Sequence, residues 1–218
     1  MTTSMIDTAR YIEMELQPHQ SNFACPICLT PVEKKYEKTL IHEDGVYCEN
    51  GCVVAPDEHE DCQKILYIYD ATMILRKQYK HLAENPAIAS KIPWYHISQR
   101  APQHMEFDTG LEMHVGSLET VAYYRDTIDK WRNLKQDYYV YELAMKDVPV
   151  EKELLNDTNF WLPQHQALSN GVDRKPVYAY RYVNRWEAPG SISLIARRDI
   201  FQVVNITKNA LPDTNLVS

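Results

Sequence analysis

Residues 177–206, VYAYRYVNRWEAPGSISLIARRDIFQVVNI, decide the fold class, because three runs rich in Val, Ile, Tyr and Phe lie between turn-forming residues. The runs at 177–183, 192–196 and 201–206 are separated by Asn, Pro, Gly and Asp, which supply tight turns. Such runs predict strands, since β-branched and aromatic side chains suit a pleated, half-buried surface. The same texture recurs upstream at 94–97 in PWYHIS, at 111–115 in LEMHV, and at 138–145, where Tyr139, Tyr141 and Leu143 alternate onto one side. Between these strands a helix is expected from 117 to about 135, opened by Ser117 with Thr120 in its first turn. Residues 147–172 read as loop and helix fragments, and 207–218 as a polar, disordered tail. Residues 91–206 are therefore predicted to form an α+β domain.

The chain before residue 91 has a different pattern. Met5, Ala9, Ile12 and Leu16 follow a four-three-four spacing, with Ser4 and Asp7 as a capping box and Pro18 as a stop, which predicts an N-terminal helix within 1–20. Ile65, Ile68, Thr72, Leu75, Tyr79 and Leu82 continue a three-four spacing up to Asn85-Pro86. This predicts a long connecting helix and linker over 63–90, whose apolar seam packs within the chain or joins two copies as an oligomer.

All five cysteines lie between positions 25 and 62. Cys25-Pro-Ile-Cys28 and, after 19 residues, Cys48-Glu-Asn-Gly-Cys52 form two short turns. Zinc takes four soft ligands in a tetrahedron, and two such turns clamp it from opposite sides with no open position, so the site is expected to be structural. A segment as short as 21–62 also needs a staple to fold. Alternatives are His42 in place of one cysteine, a Cys25–Cys28 redox pair, which lacks the expected βαβ setting, and Cys62 as a ligand or thiol rather than a residue outside the site.

The net charge of −7 is uneven: residues 1–62 carry 4 Lys/Arg against 12 Asp/Glu, and residues 63–218 carry 19 against 18. Nucleic acid is bound by concentrated positive charge, so the acidic N-terminal part argues against that partner and fits a basic protein surface or a solvated face. No run approaches the length of a membrane span. The first residues, MTTSMIDTAR, lack the basic start and apolar core of a secretory signal, which makes cytoplasmic residence the expectation.

Several polar residues sit near predicted strand ends: His96, Ser98, His114, Ser117, Tyr124, Asn184 and Glu187. Each alone has an ordinary reading as core hydrogen bonding, packing or loop charge. Their order is more specific. Tyr95-His96-Ile97-Ser98, then Phe107-Asp108, then His114-Val115-Gly116-Ser117 with Ala122 beyond, then Tyr139-Val140-Tyr141-Glu142-Leu143, and last Tyr182, Asn184, Glu187, Gly190, Ser191 and Ser193, resemble the ADP-ribosyltransferase-like domains of phage and prophage proteins. Ile97 stands where that family has glycine.

The resemblance implies a split β-sheet domain that cleaves NAD⁺ between nicotinamide and ribose and transfers ADP-ribose, or hydrolyses NAD⁺ as a glycohydrolase. It implies Glu187 and His96 as catalytic residues, with His96 on ribose. Ser98, His114, Ser117, Tyr124 and Asn184 would bind NAD⁺, with Tyr124 stacking on nicotinamide. It further implies a phage-encoded protein acting on a host protein in the host cytoplasm, with the zinc module selecting the target. The alternative is an inactive scaffold of the same fold that serves as a protein-binding adaptor or inhibitor.

Overall fold

The computed structural model describes residues 11–17, 20–25, 28–33, 41–42, 45–47, 50, 53–55, 72–105, 107, 112–132, 137–156, 178–184 and 188–212. In chain order the elements are β1 (Tyr11–Glu13), β2 (Gln20–Ala24), β3 (Pro31–Glu33), β4 (Ile41–His42), β5 (Gly45–Tyr47), β6 (Val53–Ala55), β7 (Thr72–Leu75), α1 (Lys80–Glu84), β8 (Pro93–Ser98), β9 (Glu112–Val115), α2 (Leu118–Arg132), β10 (Tyr139–Met145), β11 (Val150–Asn156), β12 (Ala179–Val183), β13 (Ile192–Arg197) and β14 (Phe201–Lys208). The protein is mixed α+β, built mostly of sheets with few helices. No helix among the described residues is long and apolar enough to cross a membrane.

Two sheets carry the C-terminal part, in orders β14-β10-β8 and β11-β12-β13-β9. Among the described residues they meet at an antiparallel bridge, where Tyr95 and Gly116 exchange both backbone hydrogen bonds at 2.9 Å. The sheets are thus joined where Tyr95 of β8 meets the residue that follows β9. The core fills the space around Trp94, Tyr141, Leu143, Ile192 and Leu194. The expected strands at 94–97, 111–115, 138–145, 177–183, 192–196 and 201–206 are all found within a few residues. The helix expected from Ser117 is α2, and Thr120 N donates to Ser117 Oγ at 3.3 Å as an N-terminal cap.

Residues 147–172 were expected to lack strands, yet Val150–Asn156 forms β11, parallel to β12. Its VEKELLN sequence has three consecutive charged residues before the buried Leu154 and Leu155, a pattern that does not flag a strand. Residues 86–90 are no linker: Pro86–Lys91 is a 3₁₀ helix, with Ala89 buried and its carbonyl accepting from Trp94 Nε1 at 2.7 Å. Residues 207–212, expected in a disordered tail, are ordered, with β14 running to Lys208. Asn209 N donates to Tyr138 O, and Tyr138 N to Asn209 Oδ1, both at 2.9 Å, while Leu211 packs by Val121 and Val140. Residues 213–218 lie outside the described residues.

Both helices expected upstream are corrected. Tyr11–Glu13 is a strand, not part of a helix in 1–20, and pairs parallel with β7, Tyr11 opposite Met73 and Glu13 opposite Leu75. Thr72–Leu75 is a strand, not the middle of a long helix over 63–85, and Lys80–Glu84 is a helix of only five residues. The reason is burial on both faces. Met73, Ile74 and Leu75 are each 0% exposed, so β7 needs no polar alternation and its apolar residues coincide with a helical spacing by length alone. The oligomer seam expected on that helix goes with it; residues 63–71 lie outside the described residues. β7 lies inside the sheet β1-β7-β2-β3, and a further small sheet has the order β4-β5-β6.

Arg181, in the middle of the wholly buried β12, ties the parts together. Its Nη1 donates to the carbonyls of Leu82 and Ala83 at the end of α1, and its Nη2 to Lys152 O at 2.6 Å and Glu151 O at 3.3 Å. Burial pulls the guanidinium down to about 10, still charged at neutral pH.

Candidate functional site

A cavity of about 450 Å³ opens where β8 and β9 diverge. β8 lines it with Tyr95, His96, Ile97 and Ser98, β9 with His114 and Val115, and α2 with Thr120, Val121 and Tyr124. Gly116, Tyr182 and Ser193 complete the wall beside Gln99. Four residues expected to share a site, His96, Ser98, His114 and Tyr124, therefore line one space. Ser117 sits one turn away, its Oγ 3.1 Å from Thr120 Oγ1. Asn184 lies behind the wall, fully buried, and its Nδ2 donates to Ser193 Oγ at 2.6 Å. Glu187 lies outside the described residues.

His96 is oriented by the opposite edge of the split. Its Nδ1 is 2.8 Å from the carbonyl oxygen of His114, and a carbonyl only accepts, so Nδ1 carries the proton and Nε2 is left as an acceptor. Burial, chiefly, and the positive charge of Arg198 hold the imidazole below its usual range, although the His114 carbonyl works the other way. The ring is thus neutral at pH 7. Tyr141 lies 6.3 Å from it, centroid to centroid, and Phe107 lies 5.7 Å from Tyr141, so the ring backs onto the core. His114 Nδ1 is 3.4 Å from the Tyr182 hydroxyl, with the rings edge-on at 73°. Ser98 Oγ accepts from Arg100 N at 3.1 Å. Ile97 faces the cavity while packing on the cluster of Val121, Tyr138 and Val140.

The described lining contains no Asp, Glu, Lys or Arg. Its polar groups are hydroxyls, imidazoles and the Gln99 amide, set among aromatic and aliphatic surface. Gly116 is required by space: a Cβ there would lie 2.8 Å from Thr120 Cβ and 2.9 Å from Ser193 Oγ.

No protein-family profile, no curated protein and no solved structure matches the chain.

The sequence reading missed Tyr182 and Ser193 as lining residues, although both stand in the pattern that carries the family resemblance. They are direct cross-strand partners on β12 and β13, and only the register puts Tyr182 beside His114 and Ser193 beside Gly116. Thr120 was read only as part of a helix start.

The cysteine turns are described in part. Cys25 is buried and Cys28 exposed; Cys48, Cys52 and Cys62 lie outside the described residues. Among the described residues no group of three or more His, Cys, Asp or Glu is placed to hold a metal. The Cys25–Cys28 turn is closed by Leu29 N donating to Cys25 O at 2.8 Å and Cys25 N to Thr30 O at 3.0 Å. Leu29 has φ of 59°, a left-handed conformation a leucine adopts only when its surroundings require it. Asn50, which stands between Cys48 and Cys52 in sequence, donates to Thr30 Oγ1 at 2.8 Å and approaches Cys28 Sγ at 3.5 Å. The Thr30 hydroxyl chiefly, then its main chain and Asn50, pull the Cys28 thiol down to about 6. A residue of the second cysteine turn thus lies against the first, and Cys28 favours its thiolate form.

Proposed function

We propose that the protein is an NAD⁺-dependent ADP-ribosyltransferase, or an NAD⁺ glycohydrolase, with a structural zinc centre. One observation carries this reading: His96, Ser98, His114 and Tyr124, taken from three separate segments, line a single cavity at the split between two sheets. His96 would accept a ribose hydroxyl at Nε2, since Nδ1 is committed to His114. Tyr124, exposed at the cavity margin, offers a ring face for nicotinamide. Glu187 would place a carboxylate against the positive charge that develops on ribose as the glycosidic bond breaks. Cys25, Cys28, Cys48 and Cys52 would hold zinc, whose contribution is a tetrahedral staple for the small N-terminal sheets. The acidic N-terminal region would then meet a basic surface on a protein target in the cytoplasm, where thiols stay reduced.

The test is nicotinamide release from NAD⁺ by the full chain. Glu187→Ala is expected to lower it at least about tenfold with the fold intact. Equal rates in parent and variant would remove Glu187 from the reaction.

Ile97 favours a second reading, a scaffold of this fold without the reaction that binds a protein partner. A branched side chain occupies the cavity wall where the family keeps glycine. This reading expects no rise in melting temperature with millimolar NAD⁺, and a rise of several degrees speaks against it.

A further inference from the structure

Asn22 is not a cavity residue, and it belongs to β2, three positions before Cys25, yet it is 0% exposed. Its Nδ2 donates to the main-chain oxygen of Asn184, 162 residues away. Burying an amide costs free energy unless it is hydrogen-bonded, and packing alone would be met by an apolar side chain. What the amide fixes is the segment behind the cavity wall. Asn184 N donates to Ser191 O at 2.7 Å, Gly190 N to Asn184 O at 3.0 Å and Ser191 N to Ala188 O at 2.9 Å. The side chain of the same Asn184 holds Ser193 Oγ at 2.6 Å, and Ser193 lines the cavity.

The N-terminal sheet grips this segment at a second point. Arg76 N, directly after β7, donates to Gly190 O at 2.9 Å. Gly190 has φ of +79°, and a Cβ there would lie 2.9 Å from Arg76 Cγ and from Leu16 Cδ1. Arg76 also reaches Glu119 in the first turn of α2 at 2.5 Å, so the helix on the other side of the cavity is tied to the same residue. Among the described residues, Asn22 Oδ1, Asn184 Oδ1 and Ser191 Oγ are buried without a hydrogen-bond partner. A polar cluster kept at that cost, in a place where apolar residues would pack, points to a positional role.

We propose that Asn22 is a positioning residue for the cavity. From the cysteine-bearing N-terminal sheet it fixes the main chain at Asn184 and, through the Asn184 amide, the Ser193 hydroxyl. The N-terminal sheet and the cavity wall are then held as one unit. The inference rests on the reading above only for the identity of the ligand.

Hydrogen exchange on the full chain tests it, comparing the parent with Asn22→Ser, and with Asn22→Asp should the first variant fail to fold. The amides of Asn184, Gly190 and Ser191 are expected to exchange at least about tenfold faster in the variant, while amides of β10 and β14 keep the parent's rates. Phe23→Leu, the neighbouring position in β2, reports loss of packing alone and is expected to leave the ratio between the two sets of amides unchanged. The half-saturating NAD⁺ concentration for nicotinamide release is expected to rise about fivefold, with turnover at saturation little altered. The proposal is overturned if the three amides keep the parent's rates, or if Phe23→Leu loosens them as much as Asn22→Ser. It is also overturned if loosened amides leave the half-saturating concentration unchanged. Because exchange needs no ligand, a parent that releases no nicotinamide counts against the NAD⁺ reading alone, and the amides still decide this one.

Discussion

β7 and β12 are both inner strands, each with a partner on either side, and they are stabilised in different ways. β7 is four residues long, and Met73, Ile74 and Leu75 are wholly buried between β1 and β2, strands of three and five residues. β12 also buries every residue, but its partners are six and seven residues long, and it carries Arg181 in its centre. Short strands drawn from distant parts of a chain bury too little surface to repay their ordering entropy, so the N-terminal sheet needs a cross-link or a neighbour. The larger sheets have apolar area to spare and can hold a charged group, provided carbonyls satisfy it.

Metal removal tests the weaker side of that comparison and is expected to have the largest effect. Elemental analysis should find one zinc per chain, retained in Cys62→Ser and lost in Cys25→Ser or Cys48→Ser. Chelation should lower stability by about 4 kcal/mol, the linkage for free metal a thousandfold above its dissociation constant, measured by urea unfolding. A metal-free protein of unchanged stability would make the two sheets alike in needing no staple.

Arg181→Ala tests the stronger side. It leaves the carbonyls of Leu82, Ala83, Glu151 and Lys152 without their donors, and a loss of about 3 kcal/mol is expected in the same unfolding experiment. A loss under about 1 kcal/mol would mean that water replaces the guanidinium. Gly116→Ala comes next. The added methyl group meets Thr120 and Ser193, so about 2 kcal/mol of overpacking is expected, together with weaker NAD⁺ binding by calorimetry.

The smallest effect concerns His96. Its folded-state affinity for a proton lies below the ordinary value of 6.5. Between the two values the unfolded chain binds more protons, so His96 contributes stability that is fully present above pH 6.5 and declines as pH falls below it. The slope from this group cannot exceed about 1.4 kcal/mol per pH unit, and His96→Gln is expected to flatten it in melts between pH 7 and pH 5.

Part of the cavity lining was legible through the order of short motifs along the chain, since no one of its residues stands out by local pattern alone. His96, Ser98, His114 and Tyr124 could be named before their convergence was seen. Ser193 was harder to name, because it lines the cavity through a register with Tyr182 that no local pattern encodes. The upstream helices were misread for the opposite reason: a strand buried on both faces has no period to read, and Tyr11 meets Met73 across more than sixty intervening residues.

By itself, then, the amino-acid order determined the strands with alternating or turn-bounded apolar residues and the start of α2 at Ser117. These follow from preferences acting within a few residues. Tertiary structure alone decided that Thr72–Leu75 would be a strand, that the buried Arg181 charge would be hydrogen-bonded by carbonyls, and that Asn22 would reach Asn184. Each of those depends on which distant backbone is adjacent, and that is set by burying the whole core at once rather than by any local preference.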